Sequence, residues 1–201
     1  NNLETLFWIR DILEKGAKWY AEKGTGGNKG FHSFSVSGRV KEPGVKVAPA
    51  GITIQKLIDN YCGGMKEDHI FKGYLPGGAS GGILPASMNK IPLDYGSKEL
   101  TDAGCFLGSA AIVVLSNKDN MKDVALNLLK FFEEESCGQC TPCRVGTEKT
   151  VKLMKEKIWN KEKLADLSEV MSQASNCGLG QAATNPLNSV LKYFGNEISY
   201  E

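Results

Sequence analysis

Three cysteines stand at intervals of three residues in the segment "ESCGQCTPCR", at Cys137, Cys140 and Cys143. Half of the six cysteines of the chain lie there. Thiolates spaced as C-x2-C-x2-C are typical ligands of a 4Fe-4S cluster, because one tight loop can reach three metal corners of the cubane. Position 147 is Thr, so the run lacks the fourth cysteine of a two-cluster ferredoxin motif. The spacing therefore predicts a 4Fe-4S cluster whose last ligand comes from a distant segment.

Cys177 is the natural fourth ligand. It lies in the segment "SNCGLGQAATNP", between the third and fourth helices of a predicted C-terminal bundle. The metal ligands would then be Cys137, Cys140, Cys143 and Cys177. Zinc is the main chemical alternative, but structural zinc sites usually take two pairs of ligands from two short loops. Disulfides or inert thiols are a further alternative, although three cysteines within seven residues would be an unusual way to fill a core.

The residues directly after Cys140 predict the start of a helix. Thr141 is suited to an N-cap and Pro142 to the first helical position, so the positive end of the helix would face an anionic cluster. Arg144 could add a charge-assisted contact, or it could simply be exposed to solvent. The local sequence therefore favours negative charge at this position.

The remaining cysteines and the two histidines show no ligand or catalytic spacing. Cys62 ends a predicted helix and Cys105 precedes an apolar strand, so both are expected to be small buried hydrophobic residues. His32 and His69 are expected to be ordinary core or surface histidines. The glycine-rich stretches "GTGGNKG" and "LPGGASGG" fit neither nucleotide-binding pattern and are interpreted as turns.

Composition narrows the function classes further. The chain has 201 residues, 41% hydrophobic and 23% charged, with a net charge of +1. This charge balance gives no reason to expect nucleic acid or a membrane surface as a partner. No apolar run approaches the roughly 20 residues that cross a bilayer. We expect a cytoplasmic protein, where a reducing environment makes clustered cysteines metal ligands or redox groups.

Periodicity divides the chain into three regions. Apolar residues at helical intervals predict one amphipathic helix from Leu3 to about Lys23, followed by a linker over 24–30. Alternating residues on both sides of Glu42-Pro43-Gly44 predict a hairpin, and Thr53 is expected to cap a helix. With two further strands near "IFKGYLPGG" and "SAAIVVLSN", residues 31–117 form a predicted α+β unit.

Residues 118–201 are predicted to be a small four-helix bundle. Their apolar residues recur every three or four positions, which is the pattern of helices that bury one face. The predicted stripes run from Met121 to Phe132, from Val151 to Ile158, from Leu164 to Met171 and from Leu187 to Ile198.

Six segments, taken in order, resemble one known family. They are "NNLETL", "SGRVKEPGVKVAPAGITIQKLI", "GYLPGGASGGILPA", "CFLGSAAIVVL", "FFEEESCGQCTPCRVGT" and "CGLGQAATNP". Together they resemble the flavin-carrying, NADH-oxidising subunit of respiratory complex I. Their sequences are most similar to the relatives of this subunit in NAD-linked hydrogenases and formate dehydrogenases. The resemblance implies a ubiquitin-like β-grasp domain of the soluble ligand-binding (SLBB) type over 31–117. It also implies a 4Fe-4S-binding helical bundle over 118–201.

The family's larger upstream domain, which holds FMN and NAD(H), has no counterpart in this sequence. The resemblance implies that the chain is the carboxy-terminal portion of the subunit, with residues 1–30 as a remnant edge of the FMN domain. The family's Asn-Asn-x-Glu-Thr stretch borders the flavin, which carries over to Asn1, Asn2 and Thr5. Alternatively, Asn2 simply caps the first helix. The implied partners are the upstream FMN/NADH domain and a ferredoxin-like or thioredoxin-like iron-sulfur subunit of the same complex.

Two functions follow as expectations. The first is the electron-relay portion of an NAD(P)H dehydrogenase, inactive with NADH by itself, which passes single electrons from FMN through the cluster to downstream iron-sulfur centres. The second is an assembly module in which a metal only holds the helices together. No nucleophile-base pair or paired carboxylates in the sequence predict another reaction.

Overall fold

A five-stranded mixed sheet organises the first half of the chain in the computed structural model, which describes residues 2–200. The strands are β1 (Phe31–Gly38), β2 (Gly44–Pro49), β3 (Phe71–Leu75), β4 (Leu84–Pro85) and β5 (Ala111–Ser116). Their order across the sheet is β2-β1-β5-β3-β4. Only the β1–β5 pair is parallel, while β1–β2, β3–β5 and β3–β4 are antiparallel. The predicted α+β fold class is confirmed.

The predicted hairpin is present as β1 and β2. Along β1 the side chains of Phe34 and Val36 are buried, whereas the serines between and beside them are exposed, as period-two alternation requires. The antiparallel register pairs Phe31 with Pro49 and Val36 with Gly44. Because β2 is at the sheet edge, its Val45 remains largely exposed.

The helices of the first half are short. They are α1 (Leu3–Phe7), α2 (Ile9–Lys15), α3 (Ala17–Ala21), α4 (Ile54–Tyr61) and α5 (Lys98–Asp102). Thr53 caps α4 as predicted, since its side chain accepts a hydrogen bond from the Lys56 N–H. The sequence did not predict α5, whose cap is Ser97.

The single long N-terminal helix predicted over Leu3 to Lys23 is wrong. Three short helices replace it, and Gly16, with φ of +90°, separates the second from the third. A residue in this backbone conformation cannot continue a right-handed helix, and glycine adopts it without strain. None of the residues of these three helices is buried, so the apolar stripe does not face a core.

The second half is helical, as predicted. Its helices are α6 (Met121–Glu134), α7 (Thr141–Lys155), α8 (Lys161–Ala174), α9 (Gly178–Ala182) and α10 (Asn185–Tyr193). The four predicted helices correspond to α6, α7, α8 and α10, and α9 is an additional short helix. The second stripe extends too far, because α7 ends at Lys155 and Ile158 lies exposed beyond it.

Two apolar cores hold these elements together. The first packs the buried face of α4 against one side of the sheet, around Phe34, Ile58 and Tyr74. The second joins the sheet to the bundle, since Leu75 and Leu115 pack in one cluster with residues such as Trp159. The two halves therefore share an apolar core across the predicted domain boundary between residues 117 and 118. The boundary itself stays a prediction.

A third, much smaller cluster lies in the bundle. Its buried members are Phe132, Met171 and Ala183, packed against Leu179 and against Ala79 from the loop after β3. The Asn185 amide also donates to the Ser80 carbonyl in that loop. The glycine-rich loop of the first half is therefore a packing element against α9 and α10.

No helix among residues 2–200 combines the length and the apolar character needed to cross a membrane.

Candidate iron-sulfur centre

The three closely spaced cysteines lie where α6 passes into α7. Cys137 is exposed in the connecting loop, Cys140 is half-buried and Cys143 is buried. Gly138 between them has φ of +76°, which turns the chain sharply after Cys137. Cys140 is the N-cap of α7, so Thr141 is the first helical residue and the helix begins one position earlier than predicted. The loop places three thiols beside the positive end of a 15-residue helix.

Cys177 lies at a second helix start. It is exposed and precedes α9, for which it occupies the N-cap position in an extended conformation. The Cys177 side chain makes no capping hydrogen bond, so its thiol is left for another partner. The segment reaches this place because α8 ends at Ala174 and the buried Ser175 turns the chain back.

The two cysteine-bearing segments meet at Cys140. Backbone N–H groups, first that of Asn176 and then that of Cys143, hold the pKa of the Cys140 thiol below its usual value. A hydrogen bond to the charged form favours that form, so the site stabilises a thiolate. Because Asn176 directly precedes Cys177, this contact brings the fourth predicted ligand to the same end of the bundle as the other three.

Cys143 and Gly180 bring the two segments close together. A Cβ placed on Gly180 would lie 2.9 Å from the Cys143 Cβ and 2.5 Å from the Ser175 Oγ. Only glycine, which has no side chain, allows the first turn of α7 and helix α9 to pack this closely. The cysteine spacing did not identify Gly180, although its place three residues after Cys177 was a usable signal.

Other polar side chains fix the first loop. The Ser136 Oγ lies 3.4 Å from the Cys143 Sγ and accepts a hydrogen bond from the Gly138 N–H at 3.3 Å. Arg144 is exposed, and its guanidinium donates to the Gly138 carbonyl and to the Thr141 Oγ1. Of the two roles predicted for Arg144, the structure shows the exposed side chain. Its hydrogen bonds to Gly138 and Thr141 stabilise the loop.

The groups at this end of the bundle suit an anionic, thiolate-bound centre, although within residues 2–200 no three His, Cys, Asp or Glu side chains are placed to hold a metal ion. The Ser175 Oγ is buried and makes no hydrogen bond of normal geometry to a described residue. It contributes slightly to the lowered pKa of the Cys140 thiol. An anionic iron-sulfur group would suit this site. The site offers soft thiols, backbone N–H groups directed at one of them, and a buried hydroxyl without a hydrogen-bond partner in the described part of the chain. The four-cysteine ligand set remains a prediction.

Comparison with known proteins bears on the helical half. Residues 123–201 match the family described as "NADH-ubiquinone oxidoreductase-F iron-sulfur binding region". The helical half is thus similar to an iron-sulfur binding region, and the matched residues include all four predicted ligands.

Relatives extend the similarity to nearly the whole chain. The chain is 33% identical to an NADH-quinone oxidoreductase subunit of Rhizobium meliloti over 98% of its length, and covers 48% of that protein. It is 34% identical to the NADP-reducing hydrogenase subunit HndC of Solidesulfovibrio fructosivorans, of which it covers 41%. The chain thus spans about half the length of these curated relatives, or less.

A solved structure supports the same placement. The fold superimposes on a chain of an NAD+-reducing [NiFe]-hydrogenase with a TM-score of 0.82 and 29% identity. The match covers 98% of this chain and 34% of the hydrogenase chain. These relatives are named as oxidoreductases, as the resemblance implied.

Gly180→Ala is expected to impair cluster binding by the iron-sulfur region. The added methyl would push α9 away from Cys143, and overpacking of this kind typically costs about 1–3 kcal/mol. We expect less iron and sulfide per chain and a lower thermal midpoint. Gly178→Ala is the matched control, because a Cβ there meets no atom within 4 Å. Equal iron content in the two variants would contradict this account of the packing.

The residues predicted to border a flavin lie near the amino terminus, in and before α1. Asn1 is outside the described residues. The Asn2 Oδ1 accepts a hydrogen bond from the Thr5 N–H at 2.8 Å, so Asn2 caps α1. The Glu4 carboxylate accepts from the Ser33 N–H and anchors α1 to β1. The capping role of Asn2 is thus observed, and a flavin contact of these residues stays a prediction.

Cys62 and Cys105 are buried, as predicted. Burial raises the pKa of the Cys62 thiol, and it raises the pKa of Cys105 to about 11. Both therefore remain protonated at neutral pH and are poor ligands or nucleophiles. They lie in the core that surrounds α4 and the sheet, where Cys105 also contacts Ser189 of α10.

His69 has partners that the sequence did not predict. Its Nδ1 lies 2.7 Å from the Ser116 Oγ, which in turn lies 3.2 Å from the Asp119 Oδ2. The Arg39 guanidinium holds the pKa of Asp119 below its usual value, and partial burial lowers the pKa of His69. Because Ser116 is fully buried and stands between the other two, the group cannot act as a hydrolytic triad. It ties the turn after β5 to Arg39.

Proposed function

We propose that this chain is the electron-relay portion of an NADH-oxidising flavoprotein subunit. In this proposal Cys137, Cys140, Cys143 and Cys177 hold a 4Fe-4S cluster, which supplies one-electron transfer between FMN in an upstream domain and a further iron-sulfur centre. The observation that carries the proposal is the meeting of the two cysteine-bearing segments, which pack so closely that a Cβ on Gly180 would lie 2.9 Å from the Cys143 Cβ.

The chain's own residues suit this task. N–H groups and the start of α7 stabilise negative charge around Cys140, which an iron-sulfur centre with four thiolates requires. The Cys143 side of the site is buried against Gly180, whereas Cys137 and Cys177 are exposed. One side of the site is thus fixed by packing and the other is open to a neighbouring protein.

A flavin is needed upstream because NADH delivers its two electrons as a hydride, and iron-sulfur centres exchange single electrons. The similarity to subunits named for NADH-quinone oxidoreductase and for NADP-reducing hydrogenase supports an upstream nucleotide site of this kind. We include in the proposal a ferredoxin-like or thioredoxin-like iron-sulfur partner subunit and a cytoplasmic location. The domain limits 31–117 and 118–201 belong to the same proposal.

The test uses a longer protein in which the flavin domain of a relative precedes this chain, assembled with its iron-sulfur partner subunit. After addition of NADH, freeze-quench electron paramagnetic resonance follows each centre. Cys140→Ser is expected to leave flavin reduction intact and to abolish reduction of the downstream centre, because the relay between them is lost. Cys105→Ser, which removes a buried thiol outside the proposed ligand set, is the control. In this variant NADH should reduce both the flavin and the downstream centre. A downstream centre that is reduced at the normal rate in Cys140→Ser would reject the relay.

A metal-held assembly module is the second candidate. The buried apolar cluster of Phe132, Met171 and Ala183 is small. A bound metal would therefore be needed to hold the two cysteine-bearing segments together, which favours this function. Visible absorption separates the two functions. A redox-active cluster bleaches when dithionite is added, whereas a purely structural zinc ion is colourless in both states.

A further inference from the structure

An open groove follows the packing seam between α7 and α8. It consists of two adjoining cavities of about 250 Å³ and 420 Å³, which share Lys149 and Leu167 as lining residues. Its near end is lined by Thr141 and Pro142, which stand between Cys140 and Cys143 in the chain. The groove therefore begins at the proposed cluster and extends away from it.

The floor of the groove is apolar. Val145, Leu153 and Leu167 are half-buried there, and Val170 is 52% exposed. Among residues 2–200, no aromatic side chain lines either cavity. Exposed aliphatic side chains between two helices are typical of a surface that a protein partner covers.

The rim at the far end carries more basic than acidic side chains. Lys149, Lys152 and Lys163 line it, together with one carboxylate, Asp166. Lys152 is paired with Glu148 at 2.5 Å, whereas Lys149 and Lys163 form no salt bridge with any residue of 2–200. Residues 141–174, which comprise α7, α8 and their connection, hold seven basic and five acidic side chains, which gives +2 in a chain whose net charge is +1. The side chains that line the far cavity, three lysines and one aspartate, carry the same net charge of +2.

We propose that this groove docks an acidic face, with apolar side chains at its centre, of a protein that exchanges electrons with the cluster. The proposal rests on the relay function above, since a relay requires such a partner. An acidic partner fits because opposite charge on the rim steers association and the aliphatic floor supplies the contact area.

Two other occupants fit the groove less well. Face-to-face docking of a second copy would oppose like-charged lysine rims, which is unfavourable. Single-stranded nucleic acid binds basic grooves, but it normally stacks its bases on aromatic side chains, and this groove has none. Both occupants become outcomes of the test.

The test measures binding and needs no electron transfer. The cluster-loaded chain is titrated with an acidic plant-type [2Fe-2S] ferredoxin as the probe, at low and at high salt, and the dissociation constant is measured. We expect binding that weakens with salt, as charge-steered association does. Lys149→Glu/Lys163→Glu should weaken binding by at least about tenfold, because close charge pairs across an interface couple strongly. Val170→Asp should weaken it as well, since it places a charge on the apolar floor.

The matched control reverses two exposed lysines on the sheet half, in Lys56→Glu/Lys66→Glu, so that net charge changes equally. This control should bind the ferredoxin nearly as tightly as the unaltered chain. All the substituted side chains are exposed, and circular dichroism verifies that each variant is folded. Circular dichroism and iron content should match the unaltered chain.

Three results would overturn the proposal. They are failure of the unaltered chain to bind the ferredoxin at low salt, equal binding by the groove and control variants, and displacement of the ferredoxin by a single-stranded oligonucleotide or by self-association of the chain. Groove-dependent binding combined with a failed relay experiment would support the docking surface and reject the relay. The two proposals therefore fail separately.

Discussion

Replacement of Cys137, Cys140, Cys143 or Cys177 with Ser is expected to remove the cluster. In the proposed site each thiolate would hold one metal corner, and a hydroxyl is a much poorer ligand for iron. Iron and sulfide should fall from a full cluster to a small residue in each single variant. Iron analysis and the visible spectrum of the anaerobically purified protein measure this directly.

Cys62→Ser and Cys105→Ser are the matched controls. Their thiols are buried in the sheet core, far along the chain from the two cysteine-bearing segments, and should not affect iron content. These two variants are expected to lose some stability, because a hydroxyl replaces a buried thiol in an apolar environment. A full cluster in Cys177→Ser, or its loss in Cys62→Ser or Cys105→Ser, would show that the ligand set is wrong.

Removal of the iron with a chelator is expected to unfold one end of the bundle and to leave the other end intact. At the cysteine end only Phe132, Met171 and Ala183 form a buried cluster, so ligation contributes much of the order there. At the opposite end Trp159 is fully buried and its indole N–H donates to the Met154 carbonyl at 2.9 Å. That end shares its core with the sheet and needs no metal.

Hydrogen exchange followed by mass spectrometry measures this difference. Amide protection should fall over 136–146 and 175–183, and should persist around Trp159 and throughout the sheet. Helical circular dichroism should decrease, and the thermal midpoint should drop by roughly 10 °C, which corresponds to about 3–4 kcal/mol for a chain of this size. An apo protein that is equally helical and equally heat-stable would contradict the link between metal and fold.

Part of the fold and of the site could be predicted from the sequence because the determining interactions are local. The β1–β2 hairpin and the cap at Thr53 depend on residues within a few positions of one another. The same is true of the cysteine spacing, since three ligands on one loop are set by chain geometry alone. Burial of Cys62 and Cys105 followed from the apolar segments around them.

Local patterns failed where a single backbone angle or a missing core decided the outcome. The N-terminal stripe has helical periodicity, yet Gly16 adopts a positive φ and no residue of the three short helices is buried. Ile158 continues the α7 pattern in sequence but lies beyond its end. Periodicity reports only which side chains could share a face, and packing decides whether the helix continues.

By itself, the sequence determined the types and spacing of Cys137, Cys140 and Cys143, which predict the chemistry proposed for this protein. The tertiary structure decided how that chemistry is completed, since it alone brings Asn176 and Gly180 against the first cysteine loop. It also created the groove between α7 and α8, which no contiguous motif encodes. The physical reason is that ligand spacing within a loop is a property of neighbouring residues, whereas contacts between α7, α8 and α9 arise only when distant apolar faces pack together.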